Sequence, residues 1–143
     1  MLKRLIITPL MLVLSLIASG SVLADTVNVT VAELEALISE GVQVIDVRRA
    51  EEWKHTGVIE GSELLTFFDR QGRHDAEAWL AAASKFAKPE NPVALICHTG
   101  VRSTVVSRWL TAEQGYTKIY NVTDGILGWK NAGKSLQKPT TTE

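Results

Sequence analysis

The chain holds one cysteine, three histidines and almost no charge imbalance, and each scarcity closes off a class of function. With Cys97 alone, no internal disulfide forms, and no second thiol stands near the N-terminus to carry a lipid. His55, His74 and His98 show no metal-ligand spacing, and Cys97 and His98 are immediate neighbours, so neither a metal nor an organic cofactor is expected. The 15 basic and 16 acidic residues leave no excess positive charge to attract nucleic acid or an anionic membrane. Internal repeats are absent too.

What is present begins at the N-terminus. Lys3 and Arg4 precede an apolar, uncharged run from Leu5 to about Ala18, followed by Ser19-Gly20-Ser21 and Val22-Leu23-Ala24. Basic, apolar and small-residue regions in that order predict a secretory signal peptide over residues 1–24, cut after Ala24. The alternative is a retained anchor, since the run is long enough to cross a bilayer; Pro9 and the Ser-Gly-Ser patch favour cleavage. The expected organisation is therefore one exported, periplasmic domain over 25–137 with a flexible tail over 138–143. Losing Lys3 and Arg4 takes the 15 basic residues to 13 against 16 acidic ones, a mild negative charge. In an oxidising compartment a lone thiol is either buried and inert or kept for its reactivity.

Hydrophobic patterning alternates between strand and helix. Thr26 to Asn28 read as a short strand, and Thr30-Val31-Ala32-Glu33 as a capping box opening a helix that stops at Gly41. VQVIDV is an apolar run suited to a strand covered on both faces. A polar helical turn over Arg48 to His55 follows, then a short strand between glycine turns. Trp79, Leu80, Ala83 and Phe86 mark the core stripe of a helix from Asp75 to Phe86. Pro89 and Pro92 break it before a strand over Val93 to Ile96. A helix from about Ser103 to Gln114 turns Val106, Trp109 and Leu110 inward. The next strand is Lys118 to Val122, then a short helix in GILGWKNAG; SLQKPTTTE reads as a frayed tail. This order predicts an α/β domain with a parallel sheet, whose ligands bind beyond the carboxyl ends of the strands.

Cys97 stands at such an end. A free thiol has an ordinary pKa of about 8.5 and is only slightly ionised at neutral pH, but a helix N-terminus stabilises the anion. His98-Thr99-Gly100-Val101 can curl into a nest of inward amides, with Gly100 taking the left-handed backbone that other residues resist. Arg102 supplies a permanent cation, and Ser103 closes the loop. The competing reading is a core cysteine at a strand end. Cysteine, glycine and arginine at strand-to-helix spacing favour a nucleophile in an anion cradle.

CHTGVR, VIDVRRAEEWKHTGVIEG and NVTDGILGWKNAG together resemble the rhodanese family of sulfurtransferases. The first matches its C-x-x-G-x-R loop. The second is similar to a motif with Asp-Val-Arg, a glutamate and a later glycine turn. The third keeps Gly125, Trp129 and Gly133 of a closing motif. The resemblance runs from Val27 to Ser135. It implies a roughly five-stranded parallel sheet flanked by helices on both faces, and a persulfide formed on Cys97. The donor would be thiosulfate or a persulfide, and the acceptor cyanide or a thiol. His98, Thr99, Gly100, Val101, Arg102 and Ser103 would bind substrate, with Arg102 orienting the donor's sulfonate-like end. A partner protein would keep Cys97 reduced. Four residues separate Cys97 from Arg102, one fewer than in related phosphatases, which favours a sulfur donor over phosphate. A sulfur carrier without turnover remains the alternative to an enzyme.

The chain also departs from the family pattern. His98 stands where many members carry arginine, so donor affinity is expected to rise as an imidazole there protonates; the alternative is a side chain turned to solvent. Val58 and Glu60 replace a His and a Pro, and Asp124 replaces a Gly. Asp46 and Arg48 are supporting candidates: Asp46 either fixes the cysteine loop, through hydrogen bonds or an arginine pair, or caps the helix at Ala50. Trp53, Phe67, Phe68 and Trp129 line the pocket mouth or belong to core and rim. The N-x-T sequons at Asn28 and Asn121 are read as chance.

Overall fold

The computed structural model describes residues 24–140. The expected signal peptide, apart from Ala24, and the last three residues of the expected tail lie outside the described residues.

Five short strands, β1 (Thr26–Val29), β2 (Gln43–Asp46), β3 (Glu63–Leu64), β4 (Val93–Ile96) and β5 (Ile119–Val122), form one sheet in the order β1-β5-β4-β2-β3. Every pairing is parallel. Parallel neighbours need crossovers, and α1 (Val31–Ser39), α2 (Ala50–Thr56), α3 (Ala76–Ala83), α4 (Val101–Glu113) and α5 (Gly125–Asn131) lie between and after the strands. The capping box forms as the sequence predicts: the Glu33 amide donates to Thr30 Oγ1 at 3.3 Å, and Glu33 Oε2 accepts the Thr30 amide at 2.7 Å.

The alternation of β4 sorts the core into two layers. Leu95 and Cys97 point to one face, where they join Ile45, Trp79, Val106 and Leu110 under α3 and α4. Ala94 and Ile96 point to the other and meet Leu34, Val122, Ile126 and Trp129 under α1 and α5. Each large side chain so covered contributes about 1.5–3 kcal/mol. Strand β4 is central in the sheet and buried along its whole length, so the residue that follows it is held by both layers.

Two expectations need correction. The frayed tail is docked as far as Gln137: Val58 and Gln137 exchange both backbone hydrogen bonds at 2.9 Å, and Leu136 packs on the α1–α5 layer. The indole of Trp129 reaches across to donate to the Ser135 carbonyl at 2.9 Å. The helix expected from Ser103 starts at Val101, because Gly100 at φ +88° makes the turn that lets it begin early. Of the two readings offered for the aromatics, Phe67 and Trp129 take the core one, Phe67 lying against Phe68, His74, Trp79 and Trp109. Asn121 is buried, its amide donating to Asn28 and Thr104.

Candidate active site

Cys97 follows the last residue of β4 at the carboxyl edge of the sheet, and it is 1% exposed. The Gly100 amide donates to its Sγ at 3.2 Å. Ser103 Oγ lies 3.4 Å from Sγ and 3.1 Å from the Gly100 carbonyl, so its single proton can serve either. The first-turn amides of α4, at Val101, Arg102 and Ser103, have no preceding turn to bond within the helix. The N-terminus of a helix favours a negative charge beside it. His98, Thr99 and Val101 are exposed, while Gly100 and Ser103 are buried.

The loop owes its shape to a backbone contact with the β5–α5 turn. The amides of Ile126 and Leu127 donate to the carbonyls of Cys97 and His98 at 2.9 and 3.1 Å. In a trans peptide the N–H points opposite its carbonyl, so fixing these two oxygens on α5 turns the His98 and Thr99 amides away from it. The approach is tight enough to demand glycine on both sides. A Cβ on Gly125 (φ +58°) would fall against the His98 carbonyl oxygen and 2.6 Å from that of Cys97; one on Gly100 would strike the Thr123 carbonyl.

The opposite wall is ionic. Arg102 donates through Nη1 and Nη2 to the two carboxylate oxygens of Glu52 at 2.8 and 2.7 Å. Glu52 Oε2 also accepts the Arg49 amide at 3.0 Å. Burial pushes the Glu52 carboxyl up, but the hydrogen bonds from Arg102 and Arg49, with their charges, outweigh it and hold it at about 2. Donating these hydrogen bonds to Glu52 raises the Arg102 pKa, against some loss from burial. Arg102 is thus tied to α2 through two of its five N–H donors.

Asp46 and Arg48 form a second pair, both buried, with Arg48 Nε and Nη2 donating to the Asp46 carboxylate at 2.9 and 2.6 Å. Arg48 continues to Thr56 Oγ1 at 2.6 Å and to the Gly57 carbonyl at 2.9 Å. This pair ties the end of β2 to the end of α2, so it positions the helix that carries Glu52. Asp46 neither caps α2, whose N-cap is Arg49, nor hydrogen-bonds the cysteine loop.

Sequence reasoning did not find Glu52 as a site residue, nor the close contact at Gly125, nor the placement of His55 beside the loop. A glutamate after Asp-Val-Arg was a signal for Glu52, but its partner lies 50 residues further along.

The family model of the rhodanese-like domain matches residues 30–132. The chain belongs to the rhodanese-like family. It is 29% identical over 117 residues to thiosulfate sulfurtransferase 18 of Arabidopsis thaliana, covering 79% of this chain and 85% of that one. Similarity to thiosulfate sulfurtransferase GlpE of Actinobacillus succinogenes is 38% over 48 residues, 34% of this chain and 42% of the relative. Among solved structures, the polysulfide-sulfur transferase homodimer of Wolinella succinogenes shares the fold at TM-score 0.63 and 23% identity, with 85% of each chain covered. The sulfurtransferase names of these relatives support a transferase family for this rhodanese-like domain.

Proposed function

We propose that this rhodanese-like domain is a sulfurtransferase that moves sulfane sulfur from thiosulfate or a persulfide to cyanide or a thiol. The observation that carries the reading is the Cys97 sulfur inside its own loop, receiving the Gly100 amide at 3.2 Å beside the Ser103 hydroxyl. A core cysteine gains nothing from polar donors aimed at it, whereas a thiolate and the persulfide it forms do.

In the first half-reaction the Cys97 thiolate attacks the outer sulfur of thiosulfate. The new S–S bond forms as the old one breaks, and sulfite leaves with the bonding pair. The product, Cys97–S–S⁻, carries its charge on the terminal sulfur, facing the amides of the loop and the first turn of α4. In the second half-reaction a thiolate or cyanide attacks that terminal sulfur, and Cys97 departs as thiolate. Two separate steps through a covalent intermediate give ping-pong kinetics. Incubation with thiosulfate should add one sulfur to the intact mass, located on Cys97, and Cys97→Ser should abolish both the addition and turnover. A Cys97→Ser protein that transfers sulfur at the original rate sinks the assignment. Catalytic thiocyanate production distinguishes an enzyme from a carrier that loads once.

The reading extends to export. Lys3, Arg4, the apolar run and Val22-Leu23-Ala24 support a signal cleaved after Ala24, delivering the domain to the periplasm. N-terminal sequencing of protein from the native host should begin at Asp25. A chain that keeps Met1 overturns this part alone.

A further inference from the structure

The Gly100 carbonyl has more donors around it than it can accept. The Thr104 amide donates to it at 3.1 Å, as the helix requires, and the Thr104 hydroxyl donates at 2.7 Å. Ser103 Oγ lies 3.1 Å from the same oxygen. A carbonyl oxygen has two lone pairs, so one of the three donors must turn elsewhere. The Thr104 amide has no other acceptor among the described residues.

The Thr104 hydroxyl has none either. The other polar atom hydrogen-bonded to its Oγ1 is Asn121 Nδ2 at 2.9 Å, itself a donor. An amide nitrogen carries two protons, and those of Asn121 go to Thr104 Oγ1 and to Asn28 Oδ1, the latter also at 2.9 Å. Thr104 Oγ1 therefore accepts from β5 and directs its single proton to Gly100. Asn121 and Ser103 are both buried, so bulk water does not compete for either. The acceptor that remains for Ser103 is Cys97 Sγ, at 3.4 Å.

We propose that Thr104, oriented by Asn121, is a positioning residue for sulfur transfer: by filling the Gly100 carbonyl it leaves the Ser103 hydroxyl to the Cys97 sulfur. This rests on the sulfurtransferase reading and extends it beyond the cysteine loop, to a residue of α4 and one of β5 that do not hydrogen-bond the sulfur themselves. The effect falls unequally on the two half-reactions. When cyanide discharges the persulfide, its carbon lone pair forms a C–S bond to the terminal sulfur. The S–S bond breaks, and its electron pair stays on Cys97 Sγ. A hydrogen bond already aimed at Sγ holds that charge as it arrives, and a thiolate so held leaves faster. In loading, the same bond favours the thiolate form but weakens it as a nucleophile, and the two influences largely offset.

The test follows the half-reactions separately on the full-length protein. Sulfite release reports loading with thiosulfate; after excess thiosulfate is removed, thiocyanate formation with cyanide reports discharge. Thr104→Val keeps the shape of the side chain and loses the proton. Discharge should slow about tenfold, as for the loss of one charge-assisted hydrogen bond, while loading changes by less than about threefold. Thr104→Ser should restore discharge. Ser103→Ala should slow discharge by the same order. Combining it with Thr104→Val should add nothing, because the hydroxyl through which Thr104 acts is already gone. If Thr104→Val does not fold, Thr104→Ala removes the same hydroxyl in a better helix former and carries the same expectation. Wild-type discharge in Thr104→Val or Thr104→Ala, losses that multiply in the double variant, or equal slowing of both half-reactions overturns the positioning role and leaves Cys97 chemistry intact. A wild-type protein that gains no sulfur from thiosulfate removes the sulfurtransferase reading first, and the positioning role with it.

Discussion

The cysteine loop is held between two walls built on different principles. On the α5 side the contact is backbone to backbone, with two amides, two carbonyls and a glycine on each partner because no Cβ fits. On the α2 side it is charge to charge, running from the buried Asp46–Arg48 pair through Glu52–Arg102 to the more exposed Glu51 with Arg49 and Arg70. A backbone wall has no titrating group and no graded response: it fits or it does not. The ionic wall is graded by depth and answers to pH. The first fixes which way the loop's amides point, and the second sets the charge around them.

The deepest point of the ionic wall should show the largest effect. Asp46→Ala leaves the Arg48 guanidinium buried without its counter-charge, and breaking such a pair costs about 3–5 kcal/mol. Urea denaturation should register a loss of that size. A loss below about 1 kcal/mol would mean that Thr56 and Gly57 suffice for Arg48, and that the ionic wall is dispensable at its base.

Next comes the backbone wall. Gly125→Ala forces a methyl against the Cys97 and His98 carbonyls and a side chain into a left-handed conformation. The loop must retreat from α5, and misplacement by about 1 Å can cost about a hundredfold in rate. Persulfide formation should fall by that order, at every pH tested. Near-normal loading in a folded Gly125→Ala protein would show that the wall does not set the amide directions.

How visible this was in the chain depends on distance along it. Strand β4 and the loop after it are local features, an apolar run followed by Cys-x-x-Gly-x-Arg, and the sequence locates them to the residue. Arg102 was visible as a cation, but its purpose was not, because Glu52 reaches it only after the sheet and α2 have formed. The same holds for His55, which carries no motif signal and comes to share a cleft with His98 only through the fold. The tail was misjudged for a related reason: its polar composition suggests fraying, while Leu136 and the Val58 bridge anchor it through contacts far off in sequence. Gly100 and Gly125 were legible as turn glycines. Their mutual dependence on neighbouring backbone was not, since a sequence shows where a side chain is missing but not what occupies its place.

The middle of the ionic wall offers the smallest and most informative effect. Glu52→Gln keeps the shape of the side chain while removing its charge, so Arg102 loses a charge-assisted pair and keeps at most one neutral hydrogen bond. Hydrogen bonds to charged groups contribute about 1.5–3 kcal/mol, and the surviving bond offsets part of that, so loading should slow severalfold rather than a hundredfold. The pH dependence gives the sharper reading. The folded Glu52 carboxyl titrates at about 2, below its ordinary 4.5, so the folded state binds fewer protons there than the unfolded chain. Its contribution to stability is therefore complete above pH 4.5 and disappears as the pH falls toward 2. Comparing unfolding of wild type and Glu52→Gln, the difference should be constant from pH 7 to about 5 and shrink through the window from 4.5 to 2. Gly125→Ala, tested alongside, should show a penalty that does not change across that window. If the two variants respond to acid in parallel, the division into a backbone wall and an ionic wall is wrong, and the loop is held by one coupled network.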